Sequence, residues 1–109
     1  MKYFDRDGRS ISQSEWHDLF RQWDYGRVNE TRIDSGTVDT SWVGMACDYE
    51  RKPMIFLTRT FSGSFQRGNA RAIGGDVWSE TMDQARVAHG KAVAALRQAG
   101  EGPNRFIRT

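Results

Sequence analysis

The chain has 109 residues, 38% of them hydrophobic and 28% charged, with a formal net charge of +2. This size fits one domain with one core, and the composition excludes disordered, fibrous and disulfide-scaffold classes. No apolar run reaches the roughly 20 residues of a membrane-spanning helix, the N-terminal MKYFDRDGRS has no secretory apolar stretch, and Cys47 is the single cysteine, so a cytoplasmic protein without disulfides is expected.

In chain order, residues 1–11 predict a hairpin, with Tyr3-Phe4 and Ser10-Ile11 flanking the turn pair Asp7-Gly8. Asp5-Arg6-Asp7-Gly8 has the opening of a calcium loop, but the later ligands and the closing Glu are missing. Residues 12–25 predict a helix. Ser12-Gln13-Ser14-Glu15 is a capping box, Ile11 and Trp16 stand at staple positions, and Trp16, Leu19, Phe20 and Trp23 follow one buried stripe up to Tyr25-Gly26. Residues 28–78 predict antiparallel strands: Val28–Ile33, a turn at Ser35-Gly36, Val38–Cys47, Met54–Phe61 and Ala70–Trp78. The Met54–Phe61 run is apolar on both parities for four residues, as in a central strand covered on both sides. Gly74-Gly75 marks a bulge or a close approach.

Residues 81–100 predict the second helix. Thr81-Met82-Asp83-Gln84 is another capping box, and Met82, Ala85, His89, Ala92, Leu96 and Ala99 recur at three- and four-residue steps. Gly100 stands at a C-cap position, and 101–109 read as a tail from which Phe106-Ile107 could pack back. The fold class is therefore α+β: an N-terminal hairpin and helix, an antiparallel meander of three to four strands, and a C-terminal helix packed on the sheet.

Chemistry is sparse. Two histidines and one cysteine offer no paired spacing for a structural zinc site, no glycine-rich loop has phosphate-cradling spacing, and no cofactor or catalytic residue is assigned. Cys47 with His89 is the one conceivable nucleophilic pair. His89 falls on the helix stripe, where a hydrogen-bonded core histidine is the default, and Cys47 lies in a hydrophobic strand, where a buried thiol is the default. Recognition surfaces are better marked. Residues 1–50 hold six Lys/Arg and ten Asp/Glu, residues 51–109 hold ten and four, and 51–75 hold no acidic residue. Arg51, Lys52, Arg59, Arg67 and Arg71, with Phe65 among them, form the candidate partner-binding set. Asp24, Glu30, Asp34 and Asp39 form an acidic alternative. Basic side chains beside exposed aromatics suit single-stranded nucleic acid or an acidic protein surface.

Trp42-Val43-Gly44, Pro53-Met54-Ile55-Phe56-Leu57-Thr58 with Phe61, and Thr81, Ala85 and His89 at four-residue steps resemble motifs of small phage and prophage accessory proteins, as do the Tyr3–Gly8 hairpin and the Trp16 helix. That group often has an acidic residue two after the glycine of the first motif, where this chain has Ala46, with Asp48 two further on. The resemblance implies a small viral accessory protein, without enzymatic activity, that binds and inhibits a host protein or defence complex in the manner of anti-CRISPR inhibitors. Its alternatives are a nucleic-acid-binding regulator and a virion assembly component. A homodimer through an uncovered sheet edge is a further expectation.

Overall fold

The computed structural model describes residues 1–108, and side chains as far as Ala99. The elements are β1 (Lys2–Phe4), β2 (Ser10–Ile11), α1 (Gln13–Arg21), β3 (Arg27–Ile33), β4 (Gly36–Trp42), β5 (Met45–Ala46), β6 (Phe56–Ser62), β7 (Arg71–Ser79) and α2 (Met82–Arg108). The strands form a small sheet, β2-β1-β5, and a four-stranded antiparallel meander, β3-β4-β6-β7. Helix α2 packs across all four meander strands, giving the expected α+β class. No helix among the described residues is long and apolar enough to cross a membrane.

The first hairpin closes on Asp5, whose carboxylate accepts the backbone N–H groups of Asp7 at 3.0 Å and Arg9 at 2.9 Å. That side chain supplies the turn, which is the local chemistry Asp favours. At the start of α1 both halves of the capping box form: Glu15 N–H donates to Ser12 Oγ at 3.1 Å and Ser12 N–H donates to Glu15 Oε1 at 3.3 Å. The helix stops at Arg21, four residues before the expected end. Gln22 is extended, with its N–H on the Leu19 carbonyl, and turns at Tyr25 and Arg27 follow. Of the expected stripe, Trp16 is buried and Leu19 partly buried, whereas Phe20 is largely exposed and Trp23, now off the helix, is 76% exposed.

The core gathers Trp16, Trp42, Ile55, Phe56 and Ala85. Both indole N–H groups find backbone carbonyls, Trp16 that of Val43 at 2.9 Å and Trp42 that of Phe4 at 3.1 Å, as buried Trp requires. The single strand expected over Val38–Cys47 is two strands in different sheets. Gly44 causes the break: its φ is +71°, and a Cβ there would stand 2.4 Å from the Trp42 ring. The N–H groups of Val43 and Gly44 both turn to the Ile55 carbonyl, at 2.7 and 3.2 Å, and the Gly44 carbonyl accepts from Phe4. The chain is thereby handed from the meander to the small sheet.

The expected turn at Ser35-Gly36 sits one residue earlier, because Ile33 pairs with Gly36 and leaves Asp34-Ser35 as the loop. Strand β6 is interior, between β4 and β7, but it is not covered on both faces. Ile55 precedes the strand and joins the core, Phe56 is buried, and Leu57 lies on a face with no helix over it. In the β6–β7 pairing Thr58 opposes Val77 and Thr60 opposes Ile73. Arg59 thus stands opposite Gly74, Gly75 and Asp76, a bulge made possible by Gly74 at φ +66°.

Helix α2 starts on Thr81, whose Oγ1 accepts the Gln84 N–H at 3.1 Å, while the Gln84 side chain reaches back to the Glu80 N–H, one residue before the expected partner. Ala85, His89 and Leu96 of the expected stripe are buried, and Ala99 is exposed. The helix continues through Gly100 to Arg108 where a C-cap and tail were expected. It does so although Gly100 and Gly102 each cost about 1 kcal/mol and Pro103 about 3 kcal/mol relative to Ala, so local propensity does not account for the continuation. The side chains of Phe106 and Ile107 lie outside the described residues.

Candidate binding surface

The strands of the meander present two faces of opposite character. On the covered face, Val38, Thr40 and Trp42 of β4 and Phe56 and Thr58 of β6 point under α2 and the core and are buried. Buried hydroxyls there need partners, and His89 supplies them. Thr31 Oγ1 lies 2.8 Å from His89 Nε2, Thr40 Oγ1 lies 2.8 Å from His89 Nδ1, and Thr40 and Thr58 hydroxyls lie 2.7 Å apart. The chain Thr31–His89–Thr40–Thr58 ties three strands to the helix, and no buried side-chain polar atom among the described residues is left without a partner. Burial holds the His89 imidazole below its ordinary pKa, with the Asp39 carboxylate pulling the other way. Both ring nitrogens face threonine hydroxyls, so neither is offered to Cys47.

The open face carries the alternate residues. Register sets Glu30 of β3 opposite Asp39 of β4, and Asp39 opposite Arg59 of β6. Around this row the charges pair: Arg27 and Arg32 approach Glu30 at 3.4 and 3.1 Å, and Arg59 Nε approaches Asp76 at 3.5 Å across the bulge. Asp39 is half-buried, and desolvation together with the facing Glu30 raises its pKa against the pull of Arg27, His89 and Arg59. Aromatic rings stand among the charges. The Arg59 guanidinium lies 5.7 Å from the Phe61 ring, Phe61 meets Phe65 edge-on at 5.1 Å, and the Arg27 guanidinium lies 5.6 Å from the Trp23 ring. Trp78, opposite Leu57 on this face, is 45% exposed, and Phe65 is 55% exposed.

The two candidate sets from the sequence therefore meet on one surface and are divided along its length. Arg59 is central. Phe65, Arg67 and Arg71 lie at the end where the β6–β7 loop meets the β3–β4 turn, and Arg32, Asp34, Thr37, Arg67 and Asn69 line a cavity of about 230 Å³ there. Arg51 and Lys52 lie before β6, at its opposite end, about 20 Å away at 3.3 Å per residue. Of the acidic set, Glu30 and Asp39 are neighbours of Arg59, Asp34 lies beside the cavity, and Asp24 is in the turn after α1. Arg27, Arg32, Asp76, Trp23 and Trp78 belong to the surface and escape sequence reasoning. Strand alternation could have found Arg27 and Arg32, the bulge at Gly74-Gly75 breaks it for Asp76 and Trp78, and no strand pattern covers Trp23, which lies in the turn between α1 and β3.

Of the residues that carry the phage-protein resemblance, Leu57 and Phe61 stand on this surface, and most of the others lie elsewhere. Trp42, Phe56, Thr58, Ala85 and His89 are buried, Gly44 switches sheets and Thr81 caps α2. No group of three or more His, Cys, Asp or Glu among the described residues is arranged to hold a metal ion. Comparison with known proteins finds no matching family, no matching curated protein and no matching solved structure.

Proposed function

We propose that this is a non-enzymatic binding protein that docks a partner protein on the helix-free face of its four-stranded sheet. The observation that carries the reading is the make-up of that face: both signs of charge interleaved on register, Arg59 beside Asp76 and Asp39, with Trp23, Phe65 and Trp78 exposed around them. Aromatic residues and Arg are the side chains most enriched at protein–protein contacts. Interleaved charges reward a partner with the complementary pattern and repel others. The resemblance to phage accessory proteins supplies the class of partner, a host protein complex, most concretely a bacterial defence complex such as CRISPR-Cas that the protein would inhibit.

The test pairs capture from host lysate with a phage-plating assay on cells with an active defence system, using the wild-type chain and Arg59→Glu/Phe65→Ala. The reading expects one captured complex and restored plating for wild type, and neither for the variant. No captured complex, no rescue, or an unaffected variant would contradict it.

A second reading, nucleic-acid binding, is favoured by Arg67 and Arg71 next to exposed Phe65, since neither has an ion pair within 4 Å among the described residues. Titration with labelled oligonucleotides at two salt concentrations decides it, because phosphate-driven affinity is greatest at low salt. Against it stands the neutralisation of Arg59 by Asp76, where a nucleic-acid surface needs an uninterrupted positive field.

A further inference from the structure

We infer that the apolar face formed by α2 and the edge strand β7 around their shared groove is a self-association face, covered by a second copy of this chain across a two-fold axis. The groove encloses about 570 Å³ and is lined by Val77 of β7 and by Val87, Ala88 and Ala92 of α2, with Asp83 towards one end and Lys91 towards the other. Val77 is 46% and Val87 57% exposed, so two apolar side chains from different elements share an open cleft that no side chain among the described residues covers.

The two edges of the sheet differ in a way that singles out this one. Both edge strands carry charged side chains, Arg27, Glu30 and Arg32 on β3 and Arg71 and Asp76 on β7. On the helix side, Thr31 and Ile33 of β3 are part-buried, whereas Val77 of β7 is 46% exposed beside part-buried Ile73. Its bulge interrupts backbone pairing, so the contact runs through side chains, with the α2 helices of the two copies antiparallel across the axis and the two β7 edges alongside one another.

Charge identifies the occupant. Asp83, Val87 and Lys91 are spaced i, i+4, i+8 and form one row on the exposed side of α2. A two-fold axis through Val87 places each Asp83 against the partner's Lys91 and each Val87 against its own equivalent. A self-complementary patch is what an isologous dimer requires, and an unrelated ligand would impose no such symmetry. Within the chain Asp83 has only a 3.9 Å approach to exposed Arg86, and Lys91 has no ion pair among the described residues. The open face of the meander stays uncovered in such a dimer, so this inference stands or falls separately from the proposed function.

Sedimentation equilibrium between about 1 and about 200 µM tests it, with thermal melts to verify the fold of every variant. A monomer–dimer equilibrium in that range is expected. Val87→Asp should abolish it. Asp83→Lys and Lys91→Asp, each setting like charges against each other twice, should each weaken it about tenfold, and the double variant Asp83→Lys/Lys91→Asp should recover the wild-type constant. A monomer throughout the range, a dimer indifferent to Val87→Asp, or a double variant no tighter than the singles would overturn the inference. So would a monomer that binds an apolar peptide or dye in the groove. If Val87→Asp fails to fold, the charge-exchange set decides alone.

Discussion

The two faces of the four-stranded sheet are built from the same strands and obey different rules. Under α2 every buried side-chain polar atom among the described residues is matched inside the protein. Thr31, Thr40 and Thr58 are tied to His89, and the rest is Val38, Trp42, Phe56 and Ala85. On the open side Arg27, Arg32 and Arg59 pair loosely with Glu30 and Asp76 at 3.1–3.5 Å, at partly or largely exposed positions. Exposed ion pairs are worth only about 0–1 kcal/mol each, so the open face contributes little to folding and is free to serve recognition. The covered face is where stability is held, and the open face is where specificity has room to vary.

The difference can be broken most forcefully from the covered side. Phe56→Ala should lose about 3–5 kcal/mol, the usual toll of emptying a fully buried aromatic site, read as the urea midpoint and the melting temperature. His89→Ala should lose about 2–4 kcal/mol, because it opens a cavity and strips partners from Thr31 and Thr40 at once. A loss under about 1 kcal/mol, the typical net worth of one hydrogen bond, would mean that the histidine chain does not hold the layers together.

His89 also gives the covered face a pH signature. Its folded pKa lies below the ordinary value of 6.5, so between those two values the unfolded chain binds more protons than the folded one. Stability then rises with pH through that window, is complete above 6.5, and is lost on acidification towards the folded value. Urea melts at successive pH values from neutral downwards should show this slope, and His89→Gln should remove it. Asp39 has the opposite sign. Its pKa is raised from 3.8 by burial and by Glu30, so its ionised form at neutral pH opposes folding. Asp39→Asn should therefore stabilise, by about 0.2–1 kcal/mol for relieving facing like charges. The smallest effect belongs to the open face: Arg59→Ala should change stability by no more than about 0.5 kcal/mol.

Much of the covered face was legible in the sequence. The α2 stripe, the capping residues Ser12, Glu15 and Thr81, the bulge glycines and the meander follow from period and cap chemistry. Two readings failed for local reasons. The aromatic stripe of α1 runs on to Trp23 with no Gly or Pro to stop it, and only the extended Gln22 shows where the helix ends. The Val38–Cys47 run looks continuous because a glycine in a strand pattern does not announce its backbone conformation, and the break comes from Gly44 at φ +71° packed against the Trp42 ring. The open face was legible only in part. Arg59 and the acidic neighbours Glu30 and Asp39 were visible as residue types, but their juxtaposition depends on strand register, and the Arg59–Asp76 pair depends on one residue facing three across the bulge. Most residues of the motifs resembling phage accessory proteins are buried in the covered face and the core, while Leu57 and Phe61 stand on the open face.

The central claim is that recognition lies on the open face and is separable from folding. It is tested most directly by measuring melting temperature and capture of the host complex together for Arg59→Glu/Phe65→Ala. The account predicts a melting temperature within about 5 °C of wild type, the shift of roughly 1 kcal/mol, with capture lost. Capture that persists in the folded variant, or that fails only in step with unfolding, would contradict it.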